Sequence, residues 1–479
     1  MIMGLLTFLS NEVKAAVGYQ QDFERLLANG DVARAMAFMH DHSGEASANL
    51  AKYGIGTHEV MRREDRAVYD KKGNFIRWSK RWKIPVSWQE YINEIALVFL
   101  YGRPVKWLQT SENTDDAFEI YNRWMDRIRF NAHVREAKRV AGAEGVSAIL
   151  YHVYQKDGKP DLLLKTLSKA KGDDIYTIKD QYDRLVAFAW GYTLTDSGNR
   201  SVQHIDIYTK EKSYRCRRAS GGWQVEMKDN QAGKIPVLLF EQEPESSGVD
   251  QLCARYENLS SVDADVNDRF SNPAMVATSE VLNSLPKQEE EAKLYILKNG
   301  GRVEYLTWNQ ASQSKQDEYA RLEKNILSKS FTPDISFENM KSMGTMSAKA
   351  IQKVMLLAVI KAERRKETHD GYMNRHVSIM KSILGNVLDY RRKSQYETLE
   401  IAHEFQSPFG EDVSDTLADV LKQRRDGALS LQTTLELSYL VKNAQKEYEL
   451  LRQEQEETFR QQQELMKAQA MQDAFGAAE

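Results

Sequence analysis

Apolar residues along this chain change their period from helical to strand-like and back again, and those changes divide the sequence. Up to about residue 145 the spacing is helical. Trp88, Ile92, Ile95, Ala96 and Phe99 recur at three- and four-residue intervals and predict a helix over 88–100. Tyr101-Gly102-Arg103-Pro104 ends it, because glycine and proline both disfavour continuation. Phe118, Tyr121, Trp124, Met125, Ile128 and Val134 place another helix over 117–140, with a short strand or extended link at 104–108 before it.

From about 146 to 243 strict alternation takes over, and strands are expected at 148–154, 185–194, 203–209 and 223–227. Turns at Asp157-Gly158-Lys159-Pro160 and Asp196-Ser197-Gly198-Asn199 make these antiparallel hairpins, and Gly233 to Phe240 closes the region. Helical spacing returns at Val249, Leu252, Tyr256, Leu259, Val262, Val266 and Phe270, giving one helix over 250–270, about 30 Å long. Asn272-Pro273 opens a small mixed module with a candidate hairpin over 294–308 that turns at Asn299-Gly300-Gly301. Tyr319, Leu322, Ile326 and Leu327 then predict a helix over 314–331, stopped before Pro333. Beyond an irregular stretch, helices are expected over 347–366 and 372–389, and a strand over 398–405. The remainder reads as helical, with the Gln- and Glu-rich portion from Gln453 frayed or disordered. The expected class is α+β, mainly helical, with two long helices side by side holding the module 273–313 at their far end.

Composition changes this picture little. The chain has 479 residues, 42% hydrophobic and 28% charged, enough for two or three domains of ordinary soluble character. Its formal net charge of -3 excludes a globally basic nucleic-acid binder, so any DNA contact is local or avoids tight binding. Cys216 and Cys253 are too few for a disulfide framework and fit thiols in a reducing compartment. The opening MIMGLLTFLSNEVKAAV lacks a basic start and is broken by Ser10, Asn11 and Glu12, which suits an amphipathic helix rather than a signal peptide. No run reaches the ~18 apolar residues of a membrane span, so no membrane partner is expected and the chain reads as cytoplasmic.

Several short segments stand out in order. They are Tyr101-Gly102-Arg103-Pro104-Val105, Gly233-Lys234-Ile235-Pro236-Val237, and Leu322-Glu323-Lys324-Asn325-Ile326 through Pro333-Asp334. Phe337-Glu338-Asn339 with Ser347-Ala348-Lys349-Ala350, and Gly427-Ala428-Leu429-Ser430-Leu431-Gln432-Thr433, complete the set, which spans roughly 50–455. As an ordered set they resemble the portal proteins of long-tailed bacteriophages. The chain departs from the family at Ala348, where glycine is usual, and in a loop rich in Met rather than Gly. The resemblance implies a closed ring, usually a dodecamer, at one capsid vertex, a channel for packaging and ejecting double-stranded DNA. It implies a wing (1–248 and 347–405), a two-helix stem (249–272 and 314–333), a small α/β clip (273–313), a tunnel loop (334–346) and a helical crown (406–479). Partners implied are further copies of the chain, the DNA, the terminase large subunit, head completion or adaptor proteins, and the major capsid and scaffolding proteins. The location implied is the virion, after assembly in the host cytoplasm.

On that frame the candidate channel residues are the loop Met340, Lys341, Ser342, Met343, Gly344, Thr345 and Met346, with Lys324 and Lys329 on the stem. Three methionines flanking a glycine make a soft apolar surface able to touch DNA without directional bonds, or alternatively fill gaps beneath the wing. The lysines would repeat as belts around a ring, or are simply solvated helix faces. Glu289, Glu290 and Glu291 form an acidic clip surface suited to a basic partner. The basic run Lys361 to Lys366 is expected at a helix C-terminus, where cations meet the dipole favourably, with ion pairs between subunits as the alternative.

Enzyme signatures fail. There is no G-x-x-x-x-G-K-[ST] loop and no H-E-x-x-H, the cysteines lack zinc-ligand spacing, and no cofactor is expected. His40-Asp41-His42 reads as a surface loop rather than a metal site, and Pro160-Asp161 lacks the partners of a nuclease. The competing function is a non-viral scaffold or adaptor that oligomerises through its terminal helices. Against it, apolar heptads lapse after Tyr448 and Leu451, with only Phe459 and Leu465 following.

Overall fold

The computed structural model describes residues 22–70, 72–195, 198–270, 275–277, 303–305, 312–335, 341, 353–409, 413–438 and 444–476. The chain divides into two compact units, one of Met1–Thr345 with Lys353–Pro408, the other of Met346–Gln352 with Phe409–Glu479. In the first unit the helices are α1 (Val32–Met36), α2 (Ser43–Tyr53), α3 (Trp88–Tyr101), α4 (Asp115–Arg127), α5 (Phe130–Glu144), α6 (Asp250–Phe270), α7 (Ser312–Lys329) and α8 (Leu356–Ile383). The second unit contributes α9 (Val413–Arg425), α10 (Leu431–Glu436) and α11 (Ala444–Gly476).

The strands of the first unit are antiparallel throughout. Strands β1 (His40–Asp41), β2 (Arg66–Tyr69), β3 (Phe75–Ser79), β4 (Lys106–Gln109), β5 (Val146–Lys156), β6 (Lys159–Leu167) and β7 (Asp174–Lys179) come first. They are followed by β8 (Leu185–Thr195), β9 (Ser201–Thr209), β10 (Lys212–Ala219), β11 (Gly222–Asp229), β12 (Val237–Glu241), β13 (Met275–Ala277), β14 (Val303–Tyr305) and β15 (Ile401–Glu404). One sheet of six runs β1-β7-β8-β9-β10-β11, and one of three runs β12-β5-β6; β15-β4, β2-β3 and β13-β14 are two-stranded.

Strand β5 shows why the middle of the chain folds as it does. Its two faces enter different cores: Val146, Ala148 and Leu150 pack with Ile175, Phe188 and Val237. Ile149 and Tyr151 instead join Tyr121, Phe130, Val134, Phe240, Met373, Val377 and Met380. A period of two thus ties the sheet on one side to α4, α5 and α8 on the other. Each fully buried large apolar side chain there is worth about 1.5–3 kcal/mol.

The six-residue helix α10 gives the 427–433 motif a physical basis. Gly427, at φ +79, closes α9 in the left-handed region, and Ser430 caps α10 by accepting the amide of Thr433 at 3.1 Å.

Several expectations are corrected. The helix over 117–140 is two, broken where Arg129 adopts φ +53. The helices over 347–366 and 372–389 are, within the described residues, one continuous α8 that passes through both. The supposed all-helical region before 145 contains the hairpin β2-β3, and Val303–Tyr305 pairs with Met275–Ala277. The first arm of the predicted 294–308 hairpin lies outside the described residues, as does the opening amphipathic segment. From Gln453, where a frayed or disordered portion was expected, the structure places a helix to Gly476. Cys216 and Cys253 are free and buried, and burial pushes each thiol up to about 12.

Candidate functional site

The two long helices predicted on either side of the small module do pair. Lys315 Nζ reaches Asp263 Oδ1 at 2.6 Å, and Tyr319 donates to Asp263 Oδ2 at 3.0 Å. Further down, Arg255 grips Glu318 through Nη2 at 2.8 Å and Nε at 3.0 Å. Residue numbers rise along α6 as they fall along α7, so the helices are antiparallel. Between them Tyr256 meets Tyr319 edge-on with ring centroids 5.3 Å apart. At the lower end Val249, Cys253 and Ile326 close a core with Ile92 of α3.

A second face of α6 holds an extended strap. Glu257, Ser261 and Asp265 lie four residues apart and therefore on one helical stripe. Glu257 Oε1 accepts the amide of Val86 at 2.9 Å and faces His58 Nδ1 at 2.6 Å. Ser261 Oγ accepts from Ile84 at 2.9 Å, and Asp265 accepts from Trp82 at 2.8 Å and from Arg63 at 2.9 Å. The Trp82 indole donates to Asp268 at 2.5 Å. Sequence reading missed this strap; the four-residue polar spacing on α6 was its signal.

The root of the helix pair is a buried ion cluster. Glu245 precedes α6, is 3% exposed, and pairs with Lys138 of α5, which is fully buried. Lys361 and Arg365, one turn apart on α8, reach the same carboxylate at 2.9 Å and 3.1 Å. Lys361 also donates to the Ser330 carbonyl at 3.1 Å, just beyond α7, and Arg365 to the Glu243 carbonyl at 3.0 Å. Helix α8 therefore grips the beginning of α6 and the end of α7 together. Burial would raise the Glu245 pKa, but Lys138, Lys361 and Arg365 outweigh it and hold the carboxyl well below the usual carboxylate range. Burial pulls Lys138 down to about 8 against the pull of Glu245. Three cations thus share one buried carboxylate. Close approach matters too: a β-carbon on Gly142 would lie 1.9 Å from Asn93 Oδ1 and 3.1 Å from Glu245 Cγ.

The basic run thus needs a different account from the helix dipole, because α8 continues past Lys366 to Ile383. Lys361 and Arg365 serve Glu245, Lys366 pairs with Glu363 at 2.7 Å, and Arg364 lies over the Phe331 ring at 5.9 Å.

Lys324 and Lys329 are exposed on α7, Lys324 on the side opposite the buried Leu322 and Ile326 and Lys329 at the helix end, and neither forms an ion pair among the described residues. Lys341 is exposed. Met340, Ser342, Met343, Gly344, Thr345 and Met346, and Glu289, Glu290 and Glu291, lie outside the described residues. His40-Asp41-His42 is not a free loop: His40 and Asp41 form β1, and His42 Nε2 sits 2.9 Å from Thr177 Oγ1. Asp161 receives Arg127 at 2.7 Å and Tyr154 at 3.1 Å, a structural pairing. Among the described residues no group of three or more His, Cys, Asp or Glu is placed to hold a metal, and no helix is long and apolar enough to cross a membrane.

Comparison with solved structures gives distant likenesses. The neck of an empty GTA particle computed with C6 symmetry shares 9% identity at a TM-score of 0.39, covering 73% of this chain and 88% of that one. The virion of a native gene transfer agent (GTA) particle shares 8% at 0.36, covering 72% and 88%. No curated protein sequence matches the chain. The sequence model of one family, "Phage portal protein, SPP1 Gp6-like", matches residues 52–461, most of the length. The chain belongs to the SPP1 Gp6-like family of phage portal proteins.

Proposed function

We propose that this chain assembles into a closed ring at one vertex of a phage capsid and forms the channel through which double-stranded DNA is packaged and ejected. The observation that carries this reading is the antiparallel pair α6 and α7, braced at its root by a buried carboxylate that three cations share. Such a pair, repeated around an axis, makes a rigid tubular wall. Membership of the portal family supplies the context.

A conduit must let a polyanion slide, and a densely basic lining would hold phosphates through counterion release. The net charge of -3 suits passage better than retention. Exposed Lys324, Lys329 and Lys341 would give sparse positive belts along the wall, with the methionine-rich residues 340–346 as the tunnel loop. Residues 249–272 and 314–333 act as the stem in this reading, 273–313 as the clip, 1–248 with 347–405 as the wing, and 406–479 as the crown. The clip, through Glu289, Glu290 and Glu291, would meet the terminase large subunit and later the head completion proteins. Shell and scaffolding proteins would surround the wing. The reading assigns the chain no chemistry of its own.

The test is DNA packaging by capsids assembled with and without this chain, scored as nuclease-protected DNA. Protection that requires the chain supports the channel; equal protection in its absence rejects it.

A further inference from the structure

The hairpin β2-β3 is the part of the chain whose surface the rest of the fold leaves unexplained. Its strands hydrogen-bond only to each other, with Arg66 opposite Ser79, Ala67 opposite Trp78 and Tyr69 opposite Phe75. A lone two-stranded hairpin is marginal in water unless something packs on it. Here nothing within the described chain covers it: Tyr69 is 59% exposed, Phe75 51%, Ile76 57% and Trp78 63%. The rings form a cluster, with Phe75 5.4 Å from Trp78 and 6.2 Å from Tyr69 between centroids. A contiguous exposed apolar patch of this kind marks an interaction surface.

The blade is also well defined in direction. Asp70 organises the turn, accepting the amides of Lys72 and Asn74 at 2.8 Å each, and Gly73 supplies the φ of +84. At the base, Trp82 and Arg63 are fixed to Asp265 of α6, and the Arg81 amide to Asp65 at 3.2 Å. The hairpin is thus held at one end by the stem helix and presents its aromatic faces outward.

Charge indicates what covers it. Residues 62–83 carry nine lysines and arginines against three carboxylates, a net +6, while the whole chain carries -3. The remainder of the chain is therefore -9. The exposed side-chain cations of Arg66, Lys72, Arg77, Lys80, Arg81 and Lys83 form no ion pair among the described residues. Duplex DNA would answer the charge but leave Tyr69, Phe75, Ile76 and Trp78 wet; an acidic protein surface with apolar groups answers both.

We propose that the hairpin Arg66–Ser79 is an inter-subunit blade that docks on an adjacent copy of this chain, burying its aromatic cluster there and setting its cations against acidic residues. The inference rests on the ring reading and names one of the contacts that close the ring.

The test compares the wild-type chain with a triple variant, Phe75→Ser, Ile76→Ser and Trp78→Ser, by light scattering and electron microscopy across a concentration series. A second variant, Arg77→Glu with Lys80→Glu, changes only exposed charges and guards against misfolding of the first. The proposal expects both variants to need at least about tenfold more protein to assemble. It also expects the melting temperature of the charge variant to match that of the dissociated wild type. Rings that form from both variants as readily as from wild type overturn the blade and leave the ring reading standing. Unchanged rings that have lost affinity for a labelled duplex oligonucleotide overturn it in favour of a DNA contact. A wild-type chain that remains monomeric under every condition removes the ring reading, and the blade with it.

Discussion

Lys361 and Glu245 meet where α6, α7 and α8 converge. The Lys361 ammonium lies 2.9 Å from Glu245 Oε2 and 3.1 Å from the Ser330 carbonyl oxygen, so one side chain of α8 joins the start of α6 to the end of α7. Glu245 is 3% exposed, and its other cations, Lys138 and Arg365, come from α5 and again from α8. Partners drawn from such distant parts of the sequence tie α5, the start of α6, the end of α7 and α8 together at one carboxylate.

Removing the shared carboxylate leaves a fully buried ammonium without a counter-charge. Glu245→Gln is therefore expected to cost about 3–5 kcal/mol of stability. Lys361→Met, which leaves Glu245 with Lys138 and Arg365, should cost less, about 1–3 kcal/mol. Denaturant unfolding of both variants measures the difference; an E245Q protein as stable as wild type would show that the cluster does not hold the root.

Two buried histidines on α8 make the fold acid-sensitive. His369 faces the Tyr101 hydroxyl at 2.8 Å, and His376 faces that of Tyr151 at 2.6 Å while stacking on Phe130. Burial pushes both well below the ordinary histidine value, chiefly by desolvation. As the pH drops below about 6.5 the unfolded chain takes up these protons and the folded chain does not, so stability falls with acidification. Each histidine contributes up to about 1.4 kcal/mol per pH unit in that window. His376→Gln should flatten the slope of stability against pH between 6.5 and 5, measured beside wild type.

Asp206 works in the opposite sense. It is 5% exposed beside a groove lined by Tyr154, Tyr208, Arg215 and Glu226, and its Oδ1 has no hydrogen-bond partner. Burial pushes its pKa up to about 6, only partly offset by Arg215 and the Tyr192 hydroxyl. The folded state then keeps a proton that the unfolded chain releases, so stability is lost as the pH rises from about 4 to 6. Asp206→Asn should stabilise the protein at pH 7.5 by on the order of 2 kcal/mol, with the gain gone near pH 4. Thermal melts at the two pH values decide it.

Sequence patterning carried the elements whose apolar residues recur at the period of their own secondary structure. The α6 stripe from Val249 through Tyr256 to Leu259 and the alternation along β5 correspond to packed faces. It failed where tertiary contacts override local signals. The break between α4 and α5 falls at Arg129, a residue type that does not announce a left-handed turn. The two helices expected over 347–366 and 372–389 join, and α8 runs through the interval between them because Met373, Val377 and Met380 continue the buried face. Glu245 sits in a polar stretch, Gln-Glu-Pro-Glu-Ser, and nothing in its neighbours distinguishes it from a solvated carboxylate. The β2-β3 hairpin was missed because its apolar residues come as the short runs Ala67-Val68-Tyr69 and Phe75-Ile76 among cations, without the strict alternation that marks a half-buried strand.

If the methionine-rich loop and Lys341 face passing DNA, reversing that charge should impede passage. Lys341→Glu is expected to lower nuclease-protected DNA severalfold in assembled capsids while leaving ring formation intact. Packaging at the wild-type level would remove Lys341 from the channel wall.

The measurement that reaches the central claim most directly is electron microscopy of the purified chain, with its assembled mass from light scattering. The account predicts closed rings of many subunits whose central hole is wide enough to admit duplex DNA. A compact dimer without a central hole would contradict it.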